Sequence, residues 1–229
     1  MDSPLVSTEW LAERLGDSNV QVVDATWFMP GEPMTGAKSY AQGHIPGAVF
    51  FDIDAIADRA SDLPHMLPSP ADFAAAAGAL GLRREATVVV YDAQGLFSAP
   101  RVWWTLRVMG FPRVVVLDGG LKAWRAEGRP VETAPAALPA VPLEPAFEPA
   151  LVRDLDAVRS ALASGVEVVD ARAAARFLGE APEPRPGLPS GHMPGARNVP
   201  WSRLVQPDGR MADPERIRAA FAGIDLNAP

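Results

Sequence analysis

Short, almost wholly apolar runs recur along the chain at 20–23, 48–51, 87–91, 113–117 and 166–169, set apart by longer stretches of mixed character. Runs of four or five residues without polar alternation suit parallel strands covered on both faces. The intervening stretches carry helix signals. Ser7 caps a helix expected over 8–15, with Glu9 in its first turn and Gly16 as its stop. Ser69 followed by Pro70 opens an alanine-rich helix reaching about residue 80. The segment after Asp92 feeds a helix bearing Arg101, Trp103, Trp104 and Arg107, and Gly119-Gly120 turn into a short helix around Trp124. Further on, 154–163 reads as a helix, and Asp213-Pro214 caps a last one over 215–221. Strands alternating with helices predict an α/β fold with a mainly parallel sheet flanked by helices.

One pattern occurs twice. Val22-Val23-Asp24 is followed after a loop of about twenty residues by His44-Ile45-Pro46-Gly47-Ala48; Val168-Val169-Asp170 leads likewise to His192-Met193-Pro194-Gly195-Ala196. Duplication predicts tandem domains of one fold: 1–133, and 151–229, joined by a proline- and alanine-rich linker over 134–150 with no period of its own. Laying Gly223 on Gly81 sets Pro229 opposite Thr87, so the second domain is expected to be incomplete. The counterpart of Asp92 would fall about five residues beyond Pro229. Lacking inner strands, the second half is expected to expose apolar surface around 166–169 unless another chain covers it.

Net charge is −7 with no run of lysine or arginine, which argues against nucleic acid as a partner, so any anion must be drawn by local arginines. The first ten residues lack a basic and an apolar region, and no apolar run approaches the roughly 20 residues that span a bilayer, so a cytoplasmic protein with no membrane partner is expected. Cysteine is absent, which removes disulfides, zinc–thiolate sites and a cysteine nucleophile from these 229 residues. No cofactor or metal is expected.

The paired His-x-Pro-Gly-Ala turns, FFDID at 50–54, PHML at 64–67, SAPRVWW at 98–104, LDGGLKAW at 117–124 and ARFLGEAPEPRPG at 175–187 resemble the two-domain rhodanese family along essentially the whole chain. That resemblance implies a sulfurtransferase. A cysteine at the tip of the second domain's loop takes a sulfane sulfur from 3-mercaptopyruvate or thiosulfate and, as a persulfide, passes it to a thioredoxin-like or small thiol, or to cyanide. The first domain has no such cysteine, which matches Asp92 at that position. Arg176 and Arg185 match the family's two substrate arginines, and Arg185 points to the mercaptopyruvate branch. Asp54 and His65 match supporting groups proposed to polarise a loop serine, which this chain lacks. The expected nucleophile lies outside these residues, in further sequence or in a separate polypeptide; the chain alone is expected to be inactive.

Plainer roles stand beside these. His44 and His192 open matching turns in both halves, and Asp24 and Asp170 end matching strands, so all four read as parts of the fold. Without the resemblance, Arg176 and Arg185 would be ordinary loop charges, and Arg197 reads as surface. Asp92 lacks the second acid two positions on that an aspartyl phosphatase would need, since Gln94 stands there. Trp103, Trp104 and Trp124 read as core. The competing function is a non-catalytic rhodanese-like module that binds a protein or small anion.

Overall fold

The computed structural model describes residues 3–184 and 187–225. Two compact units emerge, one running to Leu151 and taking in Asp208–Arg210, the other made of the remaining residues from Val152 onward. In the first unit the elements run β1 (Leu5–Val6), α1 (Thr8–Ala12), β2 (Val20–Asp24), α2 (Gly36–Gln42), β3 (Val49–Phe50), α3 (Pro70–Ala79), β4 (Thr87–Tyr91), α4 (Ala99–Val108), β5 (Val114–Leu117) and α5 (Gly120–Ala126). All strand pairs are parallel, in the order β1-β5-β4-β2-β3. The central strand β4 runs in register with β2 from Val20 opposite Thr87 to Asp24 opposite Tyr91. Val88, Val89, Val90 and Tyr91 are fully buried, which explains why β4 carries no polar alternation.

Helix starts follow the expected chemistry. Ser7, Ser69, Asp154 and Asp213 each accept a hydrogen bond from the backbone N–H three residues on, satisfying a donor that the first turn leaves orphaned. Trp124 is completely buried and donates its indole N–H to Pro130 O at 2.7 Å. Trp103 and Trp104 are half-buried instead, their indoles bonded to Val114 O and Leu151 O.

The stretch expected to link domains is tied along the first unit as a strap. Ala136 N–H donates to the Tyr40 hydroxyl, Val141 N–H to Gly78 O and Glu148 N–H to Val108 O. Proline removes donors from this segment, and three of those that remain anchor it. Gly78, near the end of α3, permits the close approach: a Cβ there would sit 2.4 Å from Val141 O.

The second unit holds α6 (Leu155–Ala163), β6 (Val169–Asp170), α7 (Ala174–Phe177), β7 (Arg197–Asn198) and α8 (Pro214–Ala220). Its described sheet has two parallel strands, with Val169 opposite Arg197 and Asp170 opposite Asn198. The strand expected over 166–169 is shorter than its apolar run. Gly165 takes φ +78° after α6, and Val166 N–H turns back to Ala161 O at 2.9 Å, so a glycine cap consumes the first residues of the run. Val169 is 37% exposed and Leu155 61%, in contrast to the sealed β2 and β4. Among the described residues no helix is long and apolar enough to cross a membrane.

Gly78→Ala separates the two demands on that position. Alanine favours a helix over glycine by about 1 kcal/mol, but overpacking against a fixed backbone costs about 1–3 kcal/mol. We expect a net loss of stability in chemical denaturation; a stabilised variant would show that the strap yields freely.

Candidate functional site

Strand β4 ends at Asp92, and the next seven residues curl around its side chain. Asp92 Oδ1 accepts the Gly95 N–H at 2.5 Å, and Oδ2 accepts the N–H groups of Phe97, Ser98 and Ala99 at 2.8 Å each. The carboxylate is wholly buried and thus fills a cradle of four backbone donors at the start of α4. Leu96 takes a left-handed backbone, φ +57°, to complete the curl. Gly120 lets the next strand–helix turn close onto it: a Cβ there would meet Asp92 O at 2.3 Å. Such a loop holds an anion; here the anion belongs to the chain.

Beside this loop the structure brings together Asp54 and His65. His65 Nε2 lies 2.7 Å from Asp54 Oδ1, and Trp27 donates its indole N–H to Asp54 Oδ2 at 3.0 Å. Trp27 presents its ring to the His65 edge at 5.0 Å and stacks on Phe97 of the loop. Its own backbone is fastened to the same loop, N–H to Ser98 Oγ and carbonyl to the Gln94 amide. Trp27 carries no motif signal, so sequence reasoning passed over it.

The repeated turns have matching anatomy. His44 stacks on Tyr40 at 3.8 Å with Nδ1 2.8 Å from Tyr40 O; His192 stacks on Phe177 at 3.7 Å with Nδ1 2.7 Å from Phe177 O. Each ring is committed to an aromatic and its carbonyl, which is a structural duty. Asp24 and Asp170 also match, each accepting the N–H two residues on, from Thr26 and Arg172. Their electrostatics diverge. Burial pushes the Asp24 carboxyl up, whereas the Arg172 guanidinium holds Asp170 down.

In the second unit Arg176 sits on α7, its Nε and Nη2 both turned to the Glu183 carboxylate. Glu183 also accepts from Arg172 Nη1 at 2.8 Å, while Arg172 binds Asp170 through Nε and Nη2 and reaches Gly191 O. Two guanidinium groups and two carboxylates thus balance within one loop. The Arg176 contact, with Arg172 behind it, holds Glu183 below the ordinary carboxylate range. Arg185 lies outside the described residues. Arg172 and Glu183 were not among the expected site residues; the signal was the acid placed in the same loop as Arg176. Arg197 pairs with Glu167 at the surface. Among the described residues no cluster of three or more acidic or histidine side chains is gathered as metal ligands.

A cavity of about 450 Å³ opens elsewhere in the first unit, between Arg14, Gln21, Pro46 and Leu138. Its arginines are committed, Arg14 to Glu13 and Arg83 to Glu85, and none of the expected site residues lines it.

A family model described as the Rhodanese-like domain matches residues 7–127. The 3-mercaptopyruvate sulfurtransferase of Escherichia coli K12 is 44% identical over 220 residues, covering 95% of this chain and 78% of its own. The thiosulfate/3-mercaptopyruvate sulfurtransferase 2 of Arabidopsis thaliana is 42% identical over 248 residues, with 99% and 72% covered. The crystal structure of the 3-mercaptopyruvate sulfotransferase SseA from Escherichia coli superposes with a TM-score of 0.91 at 40% identity, covering 99% of this chain and 86% of that one.

Asp92→Ala should lower the stability of the first unit by at least about 1–3 kcal/mol, the cost of leaving a buried donor unpaired, while Asp92→Asn should cost less. Equal losses in guanidinium unfolding would contradict the cradle. Asp170 and Glu183, both depressed, stabilise the second unit above the ordinary carboxylate pKa of about 4, and that stability is lost as pH falls through their lowered values. Amide protection factors in 170–183, exchange taken relative to the intrinsic rate at each pH, should therefore fall below about pH 4; protection insensitive to acid would contradict the network.

Proposed function

This chain belongs to the two-domain rhodanese family of sulfurtransferases, and from that premise we propose that it serves transfer of a sulfane sulfur from 3-mercaptopyruvate, or from thiosulfate, to a thiol or cyanide acceptor through a cysteine persulfide. The observation that carries this reading is the grouping of an arginine loop with a family match over nearly the whole chain. The thiolate itself comes from outside these 229 residues, which contain no cysteine. In this reading the two units are tandem copies of one domain over 1–133 and 151–229, with 134–150 between, and the first copy is the non-catalytic one because Asp92 occupies its anion cradle.

The chemistry balances simply. The thiolate attacks the sulfur of 3-mercaptopyruvate; an S–S bond forms and the C–S bond breaks, leaving its electron pair on the methylene carbon. The proton of the donor's thiol must then reach that carbon, giving pyruvate and an anionic persulfide. An acceptor thiolate attacks the outer sulfur and restores the first thiolate. Arg176 and Arg185 hold the substrate's carboxylate. Because Nε and Nη2 of Arg176 already face Glu183, the grip uses its Nη1 edge together with Arg185. Asp54 and His65 serve as a proton-relay pair, the carboxylate orienting the imidazole. We place this chemistry in the cytoplasm, where acceptor thiols stay reduced.

The purified chain should not transfer sulfur from 3-mercaptopyruvate to a thiol, yet should bind the donor. Arg176→Ala and Arg185→Ala should each weaken that binding about tenfold or more, the factor for one charge-assisted contact. Turnover by the cysteine-free chain would overturn the persulfide route. Unchanged binding in both variants would overturn the arginine grip, and binding of a protein partner alone would favour the non-catalytic module.

A further inference from the structure

Among the described residues two non-glycine positions have left-handed backbones, His65 and Leu96, both at φ +57°. Both lie at the Asp54–His65 group: Leu96 in the loop around Asp92, His65 in the pair itself. A left-handed histidine persists only where its surroundings over-determine it, and such outliers gather at working sites. What holds His65 is visible. The Arg101 guanidinium donates from Nη2 to the His65 carbonyl, while its planar face lies over the Trp104 ring at 4.7 Å. Arg101 is two residues into α4, whose first turn is pinned by the Asp92 carboxylate through Ser98 and Ala99. The guanidinium is partly desolvated, and burial lowers its pKa from the ordinary value.

We infer that Arg101 is a positioning residue: by gripping the His65 carbonyl it holds a strained backbone in the one turn that lets the imidazole Nε2 meet Asp54. A planar, stacked guanidinium has its orientation set before it bonds, which a flexible ammonium has not. Trp27 completes the arrangement from the carboxylate side, through Asp54 Oδ2. The filled cradle of the first unit then acts as a rigid platform. Asp92 fixes the loop, the loop fixes Trp27 and α4, and these fix the two ends of the Asp54–His65 pair. The inference rests on the reading of that pair as part of the sulfur-transfer site, but its geometry can be tested without turnover.

The chain has three histidines, so the ring and backbone signals of His65 can be followed by NMR without crowding. An imidazole nitrogen 2.7 Å from a carboxylate oxygen, which only accepts, must carry a proton, so His65 has its N–H on Nε2. That proton should be protected from exchange in the native chain. Arg101→Gln should shift the scalar couplings that report the His65 φ away from the left-handed value. It should also speed Nε2–H exchange about tenfold or more, as expected for one lost charge-assisted bond, with the His44 and His192 signals unmoved. Arg101→Lys, which keeps the charge and one donor, should fall between. The inference is overturned if the Nε2 proton stays as protected as in the native chain, whether or not φ moves. If Arg101→Gln does not fold, Arg101→Lys decides by the same exchange rate. Failure of donor binding with these signals intact would count against the sulfur-transfer reading instead.

Discussion

A single buried carboxylate organises the first unit. Asp92 stands where the central strand ends, and four backbone N–H groups converge on it. Those donors would otherwise be orphans of a loop and a helix start, and leaving them unpaired in a buried setting costs more than any one bond to water returns. Meeting them fixes Leu96 in a left-handed turn, starts α4 at Ala99, and sets Ser98 and Gln94 where they fasten the backbone of Trp27. Asp54, His65 and Arg101 are placed in turn by Trp27 and α4. A loop built to hold an anion here holds its own. With Asp92 filling it, this half fits the supporting part proposed for it.

The second unit solves a different electrostatic problem. With net charge −7, the chain as a whole repels anions, so the anionic donor of the proposed reaction would have to be drawn by local positive groups. Bare arginines packed closely would repel one another. Glu183 sits between Arg172 and Arg176 and accepts from both, while Asp170 takes the other side of Arg172. The carboxylates let two guanidinium groups approach within one short loop, and both acids are held in their charged form by that neighbourhood. In the proposed grip, Glu183 is the group that positions Arg176.

Much of this was legible in the residues. Sealed strands announce themselves as nearly unbroken apolar runs, and β2, β4 and β5 lie where such runs occur. Capping residues located the starts of α1, α3, α6 and α8, because an orphaned N–H needs a side-chain acceptor wherever the helix ends up. The duplicated turn was readable as a repeat, though its physical content, a histidine stacked on an aromatic and bonded to its carbonyl, was not. Val166 illustrates the limit: its run looks like strand, but Gly165 before it takes the cap. The strap over 134–150 was hidden for a related reason. Its anchors are the Tyr40 hydroxyl and the carbonyls of Gly78 and Val108 on distant helices, which leave no pattern in the strap itself. Trp27, Arg172 and Glu183 owe their roles to partners brought near by folding, while Asp54 and His65 were reached through family resemblance alone.

The cradle can be tested in this background because the chain has no other thiol. Asp92→Cys would place a lone sulfur among the same donors, and its ionisation can be followed by thiolate absorbance against pH. If four converging N–H groups favour an anion there over the cost of burial, the thiol titrates below the ordinary cysteine pKa of about 8.5. A midpoint at or above that value would show that the loop excludes charge and would contradict the account.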